Sequence, residues 1–198
     1  MKFMRWFTFS FAAVLFVMVV SVSNGFADIP KDAPSSDGAS AGELGEIFSE
    51  EFIALVPDAK LVGAARFKVL FFKIYDAELF APDAIYTLDQ PYALRLTYLI
   101  NAKKDRIVSQ TVKEMKRQKA ADSATIQSWI PAMEKAFISM DSGSFADFIH
   151  TPDGRLTLLG NGEPISVIAD PELSRAIMNI WLGPNIRSQD FQNKLLSK

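Results

Sequence analysis

From Phe67 the odd positions read Phe67, Val69, Phe71, Lys73, Tyr75, Ala77 and Leu79, while the even ones include Arg66, Lys68, Asp76 and Glu78. A period of two over that length predicts a long strand or a strand pair. Tyr92, Leu94, Leu96, Tyr98 and Ile100 alternate with Ala93, Arg95, Thr97 and Leu99 after a turn at Asp89-Gln90-Pro91, which gives a second, antiparallel strand. The period then changes. Ile107, Val108, Thr111, Val112 and Met115 form a helical stripe among Lys and Arg, so residues 103–118 read as a helix with one apolar face. Asp122 or Ser123 can cap a further helix through Ile126, Trp129, Ile130, Met133 and Phe137, which Pro131 should kink or split.

Strand character returns at Phe145–His150 and Arg155–Leu159 around the turn Thr151-Pro152-Asp153-Gly154, and again at Ile165–Ile168 after Asn161-Gly162. Asp170-Pro171-Glu172 supplies a cap, a first-turn proline and an N-terminal acid for a helix from Pro171 to Leu182. Gly183-Pro184 ends it, and Ser188 can cap a last helix through Phe191, Leu195 and Leu196. Segment 44–56 suits a helix or a strand. Hairpins alternating with helices in this order predict an α+β fold, a large antiparallel sheet with helices packed over one face.

The N-terminus follows another pattern. Lys2 and Arg5 precede an apolar run from Trp6 to Val22, followed by Asn24-Gly25-Phe26-Ala27, which reads as a Sec-type signal peptide over residues 1–27, cleaved after Ala27. The run is also long enough for a retained N-terminal anchor. Residues 28–43, with Pro30, Pro34, Ser35, Ser36, Gly38, Ser40 and Gly42, read as a flexible linker, and 44–198 as one domain. Cleavage leaves no transmembrane domain, and the expected location is the periplasm.

Composition narrows the chemistry. The chain has 198 residues, 49% apolar, with 21 Lys+Arg, 23 Asp+Glu, one His and no Cys. A formal charge of −2 offers no basic footprint for nucleic acid. Without Cys there is no thiolate catalysis, Fe–S cluster or Cys zinc site, and one His leaves no triad or multi-His metal site. No GxGxxG, P-loop, HExxH or GxSxG string occurs. No cofactor, metal or catalytic set is expected. The candidates are polar side chains set against apolar strands: Arg66, Lys73, Tyr75 and Tyr98. Each also has a plain structural reading, as a paired surface arginine, a snorkelling lysine and two buried phenols.

Gly63-Ala64-Ala65-Arg66, the run Phe72-Lys73-Ile74-Tyr75-Asp76-Ala77-Glu78-Leu79-Phe80, then Pro152-Asp153-Gly154, Asn161-Gly162 and Ile180-Trp181-Leu182-Gly183 resemble, in order, the bacterial chalcone isomerase-like family over residues 48–197. That resemblance implies an open-faced β-sandwich with a cleft between sheet and helices. The plant enzymes of the superfamily are said to use an Arg, a Tyr, an Asn and two Thr to stabilise an enolate in a dry cleft. Arg66 matches the arginine. The C-terminal Thr falls on Ile180, the Tyr near Ile107, the Asn near Glu114 and the first Thr near Lys73, so at most one of the five groups survives. Each lost oxyanion donor costs about 10²–10³ in rate, so no isomerase activity is expected.

Fatty-acid-binding members of the family's non-catalytic branch suggest the leading expectation: an exported, non-enzymatic protein holding a small amphipathic or fatty-acyl ligand. Arg66 would meet the anion, and Lys73, Tyr75, Tyr98, Ile107, Ile180 and Trp181 would line the cleft. Two alternatives stand beside it. One is an isomerase, an intramolecular lyase acting on an unsaturated carbonyl compound; the other is a ligand-free scaffold with a protein partner in the envelope.

Overall fold

The computed structural model describes residues 48–198. The signal peptide at 1–27, the linker at 28–43 and the first four residues of the expected domain lie outside them. Six strands run β1 (Ala59–Val69), β2 (Phe72–Pro82), β3 (Tyr92–Tyr98), β4 (Phe145–His150), β5 (Leu156–Gly160) and β6 (Glu163–Ile168). They form a single antiparallel sheet in chain order. The helices are α1 (Glu50–Leu55), α2 (Lys104–Gln118), α3 (Ser123–Ala136), α4 (Pro171–Leu182) and α5 (Gln189–Leu195). The α+β class and the helix-covered antiparallel sheet are those expected from the alternation of hairpins and helices.

The long period-two run is a strand pair. β1 and β2 meet from Ala59↔Pro82 to Val69↔Phe72, so Leu70 and Phe71 are turn residues rather than the middle of one strand. Alternation then assigns the faces. Ala65, Ala77, Leu79, Leu94, Leu96, Phe148 and Leu158 enter the main core with residues of α2, α3, α4 and α5, such as Met115, Met133, Ile177 and Leu195. Their neighbours in sequence point the other way. Ala59, Phe80, Ala93, Ile149 and Leu159 join Phe48, Phe52 and Val56 in a smaller cluster, so α1 covers part of the second face.

Local chemistry sets the helix ends. Asp122 caps α3 by accepting from the Ala124 and Thr125 N–H groups, Asp170 caps α4 from Glu172 and Leu173, and Ser188 caps α5 from Phe191. Trp129 donates to the Asp170 carboxylate at 3.2 Å, tying the middle of α3 to the start of α4. Pro131 neither splits α3 nor ends it: Pro131 and Gln127 four residues earlier are both exposed, where the carbonyl that loses its donor can turn to water. Gly63 lets α5 lie against β1, since a Cβ there would overlap the Lys194 carbonyl oxygen and sit 2.7 Å from that of Leu195. None of the described helices is long and apolar enough to cross a membrane.

Candidate functional site

Tyr75, on the helix-facing side of β2, accepts a hydrogen bond from the Trp181 indole N–H of α4 at 2.9 Å. Phe67 stacks on the Tyr75 ring at 5.0 Å and meets Phe191 of α5 edge-on at 6.0 Å; Tyr98 on β3 lies 6.3 Å from Tyr75. Ile107 and Ile180 are half-buried against the same core. Five of the seven expected site residues, Tyr75, Tyr98, Ile107, Ile180 and Trp181, therefore lie in one layer between sheet and helices. Burial raises the Tyr75 phenol far above its ordinary value and pushes Tyr98 up to about 12. Both stay protonated, and no acceptor for either hydroxyl proton is found among the described residues.

Glu114 of α2 borders this layer closely enough for its charge to help raise Tyr75. Burial pushes the Glu114 carboxyl up, but hydrogen bonds from Arg117 and Arg187 outweigh it and hold the group below its usual value. The arginines reach it at 2.5 and 2.9 Å. The acid at the expected asparagine position is thus a neutralised hub that ties α2 to the segment after α4.

The other two expected residues are elsewhere. Ala65 and Phe67 take the helix side of β1, so strand alternation turns Arg66 to the opposite face, contrary to the inward orientation expected of it. There it meets Asp76 directly across the register in a two-pronged pair at 2.5 and 2.7 Å, with 43% of its side chain exposed. Lys73 is exposed beside the β1–β2 turn. Aromatic rings pack around Tyr75, with Phe67 stacked on it and Tyr98 beside it. Two surface hollows of about 440 and 450 Å³ lie away from it, at Arg117–Lys119 with Pro184–Ile186 and at Asn101–Asp105 with Ser139–Asp141.

One polar constellation escaped the sequence reading. Arg95 on β3 stands between Glu78 on β2 and Asp147 on β4 in adjacent registers. Its guanidinium pairs with Asp147 at 2.7 and 2.9 Å, with 8% and 0% of the two side chains exposed. The rings of Phe145 and Phe48 lie 4.2 and 5.0 Å from the guanidinium carbon. Burial raises the Asp147 carboxyl more than Arg95 lowers it, and burial likewise raises Glu78 against the pull of Arg95. Only strand register brings residues 52 positions apart together here, so no local motif could have revealed the pair. With Asp147 paired to a guanidinium that rings cover, the ladder has the chemistry of a structural element.

Residues 56–197 match the family model described as chalcone isomerase-like. A protein of Haemophilus influenzae, itself uncharacterised, is 26% identical over 138 residues, covering 69% of this chain and 67% of its own. Among solved structures, a fatty-acid binding protein of Arabidopsis thaliana superposes with a TM-score of 0.57 at 15% identity, covering 71% of this chain and 87% of that one. That likeness is one of fold.

Proposed function

The chain belongs to the chalcone isomerase-like family, and from that premise we propose that it is an exported, non-enzymatic protein that binds a small amphipathic or fatty-acyl ligand between sheet and helices. The observation that carries this reading is the half-buried Tyr75–Trp181 pair, a neutral polar centre within an otherwise apolar layer, with the Tyr75 and Tyr98 protons free to donate. Those two phenols take the polar head of the ligand, a role expected of Arg66 before its orientation was known. Ile107, Ile180 and the indole of Trp181 meet the chain. A neutral hydrogen bond contributes about 0.5–1.5 kcal/mol and each buried CH₂ about 0.8, so a dozen methylenes supply most of the affinity and the phenols orient. Because Phe67, Tyr75 and Phe191 now fill this layer, the bound form requires those side chains to give way. Isomerase chemistry has little support: the matching arginine lies on the far side of the sheet, and Ile, Ile and Glu stand at or near three of the other four positions.

Export is part of the same proposal, supported by the basic start, the apolar run and Gly25 and Ala27 ahead of Asp28. N-terminal sequencing of the protein from a periplasmic fraction tests it, with Asp28 as the expected first residue.

The ligand is tested by native mass spectrometry and lipid extraction of protein purified from its own cells, beside Arg66→Ala and a Tyr75→Phe/Tyr98→Phe double variant. An acyl compound bound as tightly by Arg66→Ala as by the wild type, and about 5- to 150-fold more weakly by the double variant, is the expected result. Undiminished occupancy in the double variant, or weakened binding by Arg66→Ala, overturns the assignment of the head-group contact. The ring packing around Tyr75 favours one other reading, a ligand-free interaction protein in the envelope, and complete absence of a bound compound from the folded wild type would select it.

A further inference from the structure

The β1–β2 hairpin outruns the rest of the sheet. β3 ends at Tyr98 opposite Tyr75, so the last rungs of the hairpin, Lys68↔Lys73 and Val69↔Phe72, have no third strand beside them. On this projecting end Val69, Leu70, Phe71 and Phe72 are 50%, 84%, 94% and 67% exposed, a run of four apolar side chains at the tip of a finger. Such a run is expensive in water. The turn is unusual in a second way. Leu70 has φ of +55°, a conformation for which hairpin turns ordinarily use Asn, Asp or Gly. A bulky apolar residue holds a position where local preference asks for a small polar one, so apolarity at the tip runs against the demands of the turn.

The third observation is the pair of lysines. Lys68 and Lys73 face one another across one rung just behind the apolar tip, and like charges directly opposite destabilise a strand pair. No ion pair of either is found among the described residues. An anion lying between them would relieve the repulsion. The distance from this rung to the tip is about two residues, or ~7 Å, which matches the ~5–10 Å to which interfacial apolar groups enter the boundary between headgroups and acyl chains.

From these three features we propose that the β1–β2 tip is a membrane-docking finger, which inserts Leu70, Phe71 and Phe72 into a bilayer while Lys68 and Lys73 hold anionic lipid headgroups. A narrow convex tip suits a soft apolar medium, whereas a flat protein partner would leave most of it uncovered. The attraction is local, because the whole chain carries −2. The proposal stands without the ligand-binding reading. If both hold, docking brings Tyr75, two residues behind Lys73 on the same strand, close to the bilayer that would supply or receive an acyl compound.

The absence of Cys makes the test direct. The protein from the periplasmic fraction, beginning at Asp28 and carrying Phe72→Cys, is labelled with an environment-sensitive nitrobenzoxadiazole dye and mixed with phosphatidylcholine vesicles, with or without about a quarter phosphatidylglycerol; Glu163→Cys, exposed on β6, is the control. Expected are a blue shift and quenching by lipid-borne nitroxides at position 72 alone, stronger with phosphatidylglycerol. Phe71→Ser should weaken vesicle binding about 10-fold or more with no change in melting temperature. Lys68→Glu/Lys73→Glu should erase the preference for the anionic lipid. A dye at position 72 that stays aqueous while the chain sediments with vesicles overturns the proposal, because attachment then runs through another segment. A dye already blue-shifted before vesicles are added overturns it too, since the tip is then covered by the rest of the chain or by a second copy.

Discussion

On the helix-covered face the polar atoms placed under cover are neutral: a phenol accepts from an indole, and the acid at the rim, Glu114, is satisfied by two arginines. On the opposite face they are charged, with Arg95 and Asp147 almost wholly buried beneath phenylalanine rings. Neutral polar groups can be uncovered or re-paired at little cost, whereas a buried ion pair cannot be opened without leaving a charge stranded. On these costs the helix face is the easier of the two to rearrange, as the proposed ligand binding requires, and the Arg95 face is the one that holds the sheet in register.

The largest expected effect lies on the charged face. Arg95→Met leaves Asp147 buried and unpaired, which costs about 3–5 kcal/mol. Thermal unfolding should show a fall of roughly 10 °C, with the deficit narrowing in acid as Asp147 protonates. The double variant Arg95→Met/Asp147→Leu should recover most of the loss. Tyr75→Phe, which strands only the Trp181 N–H, should cost about 1–3 kcal/mol. If Arg95→Met proves the milder of the two, the division of labour between the faces is wrong.

Most of the scaffold was legible in the sequence because its signals are local. Period two marked the strands, and Asp122, Asp170 and Ser188 marked helix starts by the cap chemistry observed. The turn at Leu70-Phe71 was not legible, because apolar turn residues continue the strand pattern past the point where the chain reverses. The orientation of Arg66 failed for a related reason. Alternation states that Arg66 and Phe67 face opposite ways, but with apolar residues on both faces it does not say which way is in. Arg95 and Asp147 needed the β3–β4 register, a property of the assembled sheet.

A smaller loss is expected where α5 rests on the sheet. Gly63→Ala drives a methyl group into the backbone carbonyls of Lys194 and Leu195, where no flexible side chain can yield. Overpacking of that kind costs about 1–3 kcal/mol. Ala64 beside it is exposed on the other face, so Ala64→Ser should leave the melting temperature unchanged. Equal effects from the two would mean that α5 is not seated on Gly63.

The carboxyls sharpen the contrast by responding to pH in opposite directions. Glu78 is raised, chiefly by burial, so the folded state holds its proton more tightly than the unfolded chain, and stability is lost as pH climbs from about 4.5 through the raised value. Glu114 is lowered, so its contribution is present above about 4.5 and lost as pH falls through the depressed value. At neutral pH Glu78→Gln should raise the melting temperature or leave it unchanged, while Glu114→Gln should lower it. Both differences should vanish in strong acid, and the same sign for both at neutral pH would count against the assignment.

The smallest expected effect belongs to His150, at the end of β4 on the helix side. Its ring stacks on Tyr92 at 5.0 Å, and its Nδ1 is buried without a partner. Burial lowers its pKa below 6.5; Asp153 opposes that shift and Arg175 adds to it. A depressed folded value means the stabilising contribution is complete above pH 6.5 and is lost as the imidazole is forced to charge at lower pH. Because it is the chain's single histidine, one imidazole resonance in an NMR titration reads the value without assignment. A midpoint below 6.5 is expected, and His150→Phe should flatten the dependence of melting temperature on pH between about 6.5 and 5. That window lies above the ordinary range of the carboxyls, so a slope surviving the substitution would have to come from a carboxyl raised unusually far. Glu78 and Asp147 on the charged face would be the first to test.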